Sequence, residues 1–163
     1  MIHKIEIGEH CFGSYVRIDD KSLLDESYDD CKLNADLSKF IINQLILVKN
    51  KLTDEHISTI MSIIMGNTQN LNFKLTEEEY ESLSDDDGDY LFLCKKFNYN
   101  RDTIIGELIS IHDNLLSISY WYEIMKIILE IHNSKTIKYS QDSCDQCGNW
   151  NYDETYNLEL WEQ

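Results

Sequence analysis

The chain has 163 residues, a length typical of one folded domain with a single hydrophobic core. Its 14 lysines and arginines are outnumbered by 30 aspartates and glutamates, which gives a formal net charge of −16 at pH 7. Direct binding to nucleic acid needs clustered basic residues, so this balance excludes a domain held by phosphate contacts. It also argues against docking on anionic lipid.

The distribution of apolar and cysteine residues predicts a cytoplasmic protein. The first residues, Met1 to Ile7, alternate polar and apolar side chains and lack the continuous apolar segment of a signal peptide or membrane anchor. No apolar stretch reaches the roughly 20 residues that a membrane-spanning helix needs. The five cysteines are odd in number and irregularly spaced, which is typical of a reducing compartment.

The chain begins with a strand pattern followed by an acidic segment. Alternation over Ile2–Ile7 and the β-forming run Tyr15–Ile18 predict a hairpin, with its turn between Gly8 and Gly13. The segment Asp19–Asp30 carries six acidic residues, and we predict an exposed loop there.

Helical patterns fill the middle of the chain, where apolar residues recur every three or four positions. Thr53 and Thr76 are predicted N-caps, and Thr76 forms a capping box with Glu79. Two apolar runs between the helices, Leu71–Leu75 and Tyr90–Phe97, predict short strands, although the length of Tyr90–Phe97 does not exclude a helix. The predicted helices are Asp36–Lys49, Thr53–Met65, Thr76–Leu83, Arg101–Leu116 and Ser119–His132.

The last predicted element is a second hairpin, with arms at Thr136–Tyr139 and Thr155–Trp161. A two-stranded hairpin is marginal alone, so the N-terminal and C-terminal hairpins are expected to join in a mainly antiparallel sheet. About five central helices would pack on that sheet. No linker or low-complexity tract divides the chain, and we therefore predict a single α+β domain over residues 1–163.

The most specific local motif is Cys144-Asp145-Gln146-Cys147-Gly148, between the arms of the C-terminal hairpin. Two thiolates at this spacing, followed by a glycine, resemble one half of a zinc ribbon. A second pair of ligands would have to come from isolated cysteines or histidines, or from a second subunit in a homodimer. The alternative is a turn that carries two cysteines without metal.

Motifs of common enzyme classes are missing from the sequence. It contains no nucleophile elbow, phosphate-binding glycine loop or zinc-protease helix motif. The acidic run Asp85–Asp89 does not fit a calcium loop, because aligning Gly88 with the conserved glycine puts Leu83 at the first ligand position. We assign no catalytic residue from the sequence.

The feature that stands out is the clustering of acidic residues with tyrosines. The segments Asp19–Asp30 and Glu77–Asp89 hold 14 of the 30 acidic residues. Carboxylates steer a basic partner and tyrosines supply contact area, although acids on a small protein can also serve solubility alone. The candidate partner-binding residues are Asp25, Tyr28, Asp29, Asp30, Asp85, Asp86, Asp87, Asp89 and Tyr90.

These features favour a small acidic binding protein that neutralises a basic protein partner. The profile of size and charge resembles that of immunity proteins against nuclease-type toxins and of phage inhibitors of defence enzymes. Two alternatives belong to other classes: a zinc-stabilised structural or adaptor protein built on Cys144 and Cys147, and an enzyme with an unrecognised active site.

Overall fold

The computed structural model describes residues 1–10, 13–27, 30–67, 76–83, 90–112, 117–132, 138–143 and 150–160. Within these ranges the strands are β1 (Ile2–His10), β2 (Gly13–Ile18), β3 (Lys21–Ser22), β4 (Leu24–Ser27), β5 (Asp30–Leu33), β6 (Lys138–Ser143) and β7 (Trp150–Glu159). The helices are α1 (Ala35–Val48), α2 (Asp54–Asn67), α3 (Glu77–Leu83), α4 (Leu91–Lys96), α5 (Arg101–His112) and α6 (Ile118–Ile131). The predicted α+β class and the five predicted helices are confirmed.

The two ends of the chain meet in one five-stranded antiparallel sheet, with strand order β3-β2-β1-β7-β6. The central strand, β1, pairs with β2 through Ile5 opposite Ile18 and Ile7 opposite Val16. On its other edge β1 pairs with β7, where Ile5 lies opposite Tyr156. The prediction that the terminal hairpins join in an antiparallel sheet is therefore confirmed.

One face of this sheet is apolar and packs against helices. Residues directly opposite on paired strands share a face, so Ile5, Ile7, Val16 and Ile18 form one continuous apolar surface, and all four are buried. Helix α6 packs against β2 and β1, and α1 packs against α6. The buried residues of α6 are Trp121, Tyr122, Ile124, Met125, Ile127, Ile128 and Leu129.

The prediction of an exposed loop over Asp19–Asp30 is wrong in part, because β3, β4 and β5 lie in this region. Leu23 explains the difference, since it is fully buried. Its N–H donates to the Val16 carbonyl (3.0 Å), and its own carbonyl accepts from the Asn34 N–H (2.7 Å). A single buried leucine thus holds the acidic segment on the structure, and β4 and β5 form a separate two-stranded hairpin.

The second group of helices, α2 to α5, lies within Lys49–Leu116. Helix α2 packs against α5 and α4. The predicted N-cap of α2 is confirmed, because Thr53 Oγ1 accepts the His56 N–H (3.2 Å) and His56 Nδ1 accepts the Thr53 N–H (3.2 Å). Fully buried residues of this group include Ile60, Met61 and Leu108.

The predicted strand Tyr90–Phe97 is wrong, since this run forms helix α4. Its burial follows a helical period rather than alternation: Leu93 and Cys94 are buried, and the next two residues, Lys95 and Lys96, are exposed. A short apolar run does not distinguish a buried strand from a helix, which is why periodicity failed here. The predicted strand Leu71–Leu75 lies outside the described residues.

The chain divides into two compact units. The first comprises Met1–Val48 with Ser117–Gln163, and the second comprises Lys49–Leu116. The first unit holds the five-stranded sheet, the β4–β5 hairpin, α1 and α6, and the second holds α2 to α5. That the chain folds as one domain stays a prediction.

Candidate functional site

A cleft of about 330 Å³ lies in the first unit, beside the turn that joins β2 to β3. Strand residues and the start of α1 form its walls. The described lining residues are His3, Ile18, Asp19, Lys21, Asn34, Asp36, Leu37 and Phe40. We call this site the acidic cleft, because two carboxylates and one ammonium group lie among its described lining residues.

The turn beside the cleft has an uncommon backbone. Asp19 (φ 52°) and Asp20 (φ 66°) are both left-handed, as the two-residue turn of a tight hairpin requires. Aspartate tolerates this conformation better than most residues because its short side chain can bond to nearby backbone. Asp19 does so: its N–H donates to the Lys4 carbonyl (2.8 Å), and its Oδ1 accepts the Lys4 N–H (2.9 Å).

The second oxygen of the Asp19 carboxylate holds a histidine. His3 Nδ1 lies 2.7 Å from Asp19 Oδ2. A carboxylate only accepts, so the proton of this bond lies on Nδ1. The bond from His3, with that from the Lys4 amide, holds the pKa of the Asp19 carboxyl below its ordinary value. Asp19 is therefore a negative charge of fixed position at neutral pH.

An aromatic wall stands next to this pair. The ring centroids of His3 and Phe40 are 5.4 Å apart, with the planes tilted by 53°. The His3 side chain is 13% exposed and that of Asp19 is 46% exposed. The cleft therefore presents a half-buried aromatic surface beside an accessible carboxylate.

The first turn of α1 contributes the second carboxylate. Asn34 caps this helix, because its Oδ1 accepts the Leu37 N–H (3.1 Å). Asp36 is exposed in the first turn, where the helix dipole favours negative charge. Lys21, in β3, supplies the opposing positive charge of the lining.

This arrangement is suited to binding a cation. A guanidinium or ammonium group gains from an aromatic face and from carboxylates at once, and a guanidinium can also form two parallel hydrogen bonds to one carboxylate. The described lining offers no hydroxyl or thiol for His3 to activate. The His3–Asp19 pair holds one carboxylate and one aromatic ring in fixed positions at the cleft.

The second unit carries another acidic surface, on α3. Glu77, Glu78 and Glu81 are exposed there. The predicted capping box is confirmed: the Glu79 N–H donates to Thr76 Oγ1 (3.3 Å), and Glu79 Oε1 accepts from the Thr76 N–H (3.5 Å). Lys96 Nζ donates to both carboxylate oxygens of Glu79 (2.7 and 2.8 Å), which lowers the pKa of Glu79.

Few of the predicted site residues fall where the structure describes side chains. Tyr90 does, and it is half-buried immediately before α4, with its N–H donating to Ser58 Oγ (3.2 Å). Asp25 lies in β4 and Asp30 in β5, where the backbone alone is described. The predicted residues outside the described ranges are Tyr28, Asp29, Asp85, Asp86, Asp87, Asp89, Cys144 and Cys147.

Sequence reasoning missed the acidic cleft, although Asp19 belongs to one of the two acidic segments it singled out. His3, Asp36 and Phe40 were not named as site residues. The available signal was the pair Asp19-Asp20 directly after a strand, since two residues that tolerate a left-handed backbone predict a tight turn. That signal predicts the position of the turn, but it does not predict the contact of Asp19 with His3.

Among the described residues, no group of three or more histidine, cysteine or acidic side chains could hold a metal ion. The zinc site at Cys144 and Cys147 lies outside those residues and stays a prediction. None of the described helices has the length and apolar character needed to cross a bilayer. Protein-family models, curated proteins and solved structures yielded no match to this chain.

Proposed function

We propose that this chain is a cytosolic, non-enzymatic binding protein that neutralises a basic protein partner. The observation that carries the proposal is the acidic cleft, where Asp19 and Asp36 accompany an aromatic wall in a chain of net charge −16. A basic protein that handles nucleic acid presents arginines and lysines where it binds phosphate. Covering that surface with carboxylates blocks the contact with nucleic acid.

The partner group that fits the cleft best is an arginine side chain. Its planar guanidinium can stack on the Phe40 ring and bond to the Asp19 carboxylate, whose geometry is fixed by Lys4 and His3. A lysine ammonium would gain the charge attraction but not the stacking or the paired bonds. We therefore expect the cleft to prefer arginine over lysine.

Carboxylates outside the cleft would raise the rate of encounter. Several described lysines are already engaged by acids: Lys4 with Asp20 (3.1 Å), Lys96 with Glu79, and Lys49 with Asp102. Each of these internal pairs cancels one positive and one negative charge, so the net charge of −16 still sets the sign of the long-range field. Asp85 to Asp87 and Asp25 to Asp30 belong to the same proposal as steering groups.

The test uses a blocked Gly-Arg-Gly peptide and its citrulline analogue, which has the same shape without the charge. Binding is followed by NMR shifts at His3 and Phe40. The variant Asp19→Asn/Asp36→Asn should lower affinity for the arginine peptide roughly tenfold, because it removes two charge-assisted contacts. Asparagine also tolerates the left-handed backbone of position 19, so the turn is retained.

The matched control is Asp20→Asn/Glu78→Gln, which removes the same number of exposed carboxylates outside the cleft. It should leave affinity for the arginine peptide nearly unchanged. Equal losses in the two double variants would show that net charge, not the cleft, attracts the peptide. Equal binding of the arginine and citrulline peptides would contradict the proposal.

A second experiment tests the protein partner directly. Wild-type chain and the two double variants are immobilised, and the proteins each retains from the native host are identified and eluted with salt. The proposal expects a basic protein that elutes at moderate salt and is held by wild type and control but not by Asp19→Asn/Asp36→Asn. Retention of the same proteins by all three columns would overturn it.

A further inference from the structure

A second concavity, in the unit Lys49–Leu116, has the opposite character to the acidic cleft. Its volume is about 450 Å³, within the range of small-molecule pockets. It is lined by residues of α2, α4 and the start of α5, and we call it the basic groove.

The floor and wall of the basic groove are apolar. Ile57 of α2 is 8% exposed and Ile104 of α5 is 2% exposed, so they form a closed floor. The Phe92 side chain of α4 is half-buried and lines the same groove. This surface can take an aliphatic or aromatic group out of water, which favours binding in proportion to the apolar area buried.

Two cations and one carboxylate also line the groove. Arg101, the first residue of α5, is held in place because its guanidinium donates to the Leu52 carbonyl (2.7 Å). Lys95 is exposed at the end of α4, and Asp54 is the acid among the described lining residues. The chain as a whole has 14 basic against 30 acidic residues, so this lining reverses the chain's own charge ratio.

The N-terminus of α5 adds to this positive character. Arg101 stands in its first turn, where the helix dipole favours an anion. The neighbouring Asp102 is engaged by Lys49, which leaves its charge partly offset. The two cations, the helix dipole and the apolar wall therefore suit a ligand that has an anionic head group and an apolar tail.

We propose that the basic groove binds a small amphiphilic carboxylate. Its apolar part lies along Ile57, Phe92 and Ile104, and its carboxylate pairs with Lys95 and Arg101. A singly charged head fits better than a dianionic phosphate, because the Asp54 carboxylate repels each added negative charge. This inference does not depend on the proposed protein partner.

The test titrates the full chain with decanoate below its micelle concentration, followed by NMR of the backbone amides. Decanoate should shift signals of residues 90–104 and of Ile57 first. Decanol and decyltrimethylammonium, which share the tail but not the charge, should bind at least about tenfold more weakly. Equal affinity for decanoate and decyltrimethylammonium, or shifts confined to other residues, would overturn the proposal.

Substitutions test where the carboxylate head and the aliphatic tail of decanoate bind. Lys95→Gln should weaken decanoate binding by about tenfold at low salt. Lys39→Gln, an exposed lysine of α1 outside the groove, makes the same change of charge and should alter affinity by less than about twofold. Phe92→Ala and the milder Phe92→Leu should both weaken binding of decanoate more than that of hexanoate, which is too short to reach as far. Equal effects of Lys95→Gln and Lys39→Gln would reject a specific head-group site.

A final titration distinguishes a site for a carboxylate head group from a site for a phosphate head group. Decyl phosphate should bind no better than decanoate if the groove is built for a single negative charge. Markedly tighter binding of decyl phosphate would show that the head group was assigned wrongly.

Discussion

The acidic cleft and the basic groove have the same arrangement of charged groups, with the signs of the charges exchanged. Among the described residues, each lining has two charges of one sign and one of the other: Asp19 and Asp36 against Lys21, and Lys95 and Arg101 against Asp54. In each, one majority charge is fixed by a main-chain hydrogen bond, Asp19 by the Lys4 N–H and Arg101 by the Leu52 carbonyl.

The difference between them teaches that net charge does not determine local charge. A chain of net charge −16 still assembles a lining with more cations than carboxylates, because folding brings together residues that are separated in the sequence. Contacts to the backbone decide which charged side chains hold a defined position. Clusters of charge in the sequence identify a surface, but not the few groups that are placed for recognition.

The largest expected effect is on the free energy of unfolding, and it tests whether the two units that carry these sites unfold together. Leu45→Ala or Ile128→Ala in the first unit, and Leu108→Ala in the second, should each lower the free energy of unfolding by ~2–5 kcal/mol. All three side chains are fully buried, and truncation leaves a cavity.

The measurement is chemical denaturation followed by tryptophan fluorescence and by circular dichroism. All three tryptophans, Trp121, Trp150 and Trp161, lie in the first unit. If the chain is one domain, Leu108→Ala shifts the fluorescence transition as much as the circular dichroism transition. A fluorescence transition unchanged by Leu108→Ala would show two separate folding units and contradict the single-domain prediction.

An intermediate effect on ligand affinity is expected from removing the single opposing charge of each site, Lys21 in the acidic cleft and Asp54 in the basic groove. Lys21→Gln should raise the affinity of the acidic cleft for the arginine peptide, and Asp54→Asn that of the basic groove for decanoate. Each gain should be at most about fivefold at low ionic strength and should shrink as salt is added, since exposed charges interact weakly.

Each variant is the control for the other ligand. Lys21→Gln should not change decanoate affinity beyond the effect of any exposed lysine, for which Lys39→Gln is the reference. A loss of arginine-peptide affinity in Lys21→Gln would mean that Lys21 supports the ligand instead of opposing it, and the charge comparison between the two sites would fail.

The smallest effect is a difference in acid stability. Folding lowers the pKa of Asp19, so its contribution to stability is complete above the ordinary aspartate value of 3.8 and is lost as pH falls below it. Wild type should therefore lose stability more steeply than Asp19→Asn below this pH. The difference should be small, since nearly half of the Asp19 side chain is exposed.

The unfolding free energy of both proteins, measured between pH 2.5 and 6, checks this. Asp20→Asn is the control, because the Asp20 side chain is 80% exposed and bonds only to Lys4 among the contacts described for its carboxylate. It should keep the steep acid dependence of wild type. If Asp19→Asn keeps it too, the His3 bond does not stabilise the fold.

The helices and the sheet were predictable because they depend on local periodicity and on caps read directly from the sequence. Thr53 and Thr76 begin α2 and α3 as their sequence context indicates. The run Tyr90–Phe97 was predicted wrongly because its apolar residues fit either a strand or a helix, and packing against α2 decides between them.

The acidic cleft was not predictable from the same patterns. It depends on the contact of His3 with Asp19 and Phe40, which are distant in the sequence, and on a left-handed turn formed by Asp-Asp, a weaker turn signal than Asn-Gly. The basic groove has the same origin, since Asp54, Lys95 and Arg101 follow no motif. Both sites therefore depend mainly on tertiary contacts, which local sequence patterns do not predict.

The position of β1 in the sheet has a consequence for synthesis on the ribosome. Ile2 pairs with Glu159, and the second unit is a continuous segment that lies in the sequence between β1 and β7, with α1 before it and α6 after it. During translation the β1 edge that later receives β7 stays open while the helices α1 to α6 are being made. The nascent chain thus carries an isoleucine-rich strand with one open edge for most of its synthesis, and its helical insert is free to collapse first. Because β1 and β7 are far apart in the sequence, their pairing is expected to be the slow step of folding.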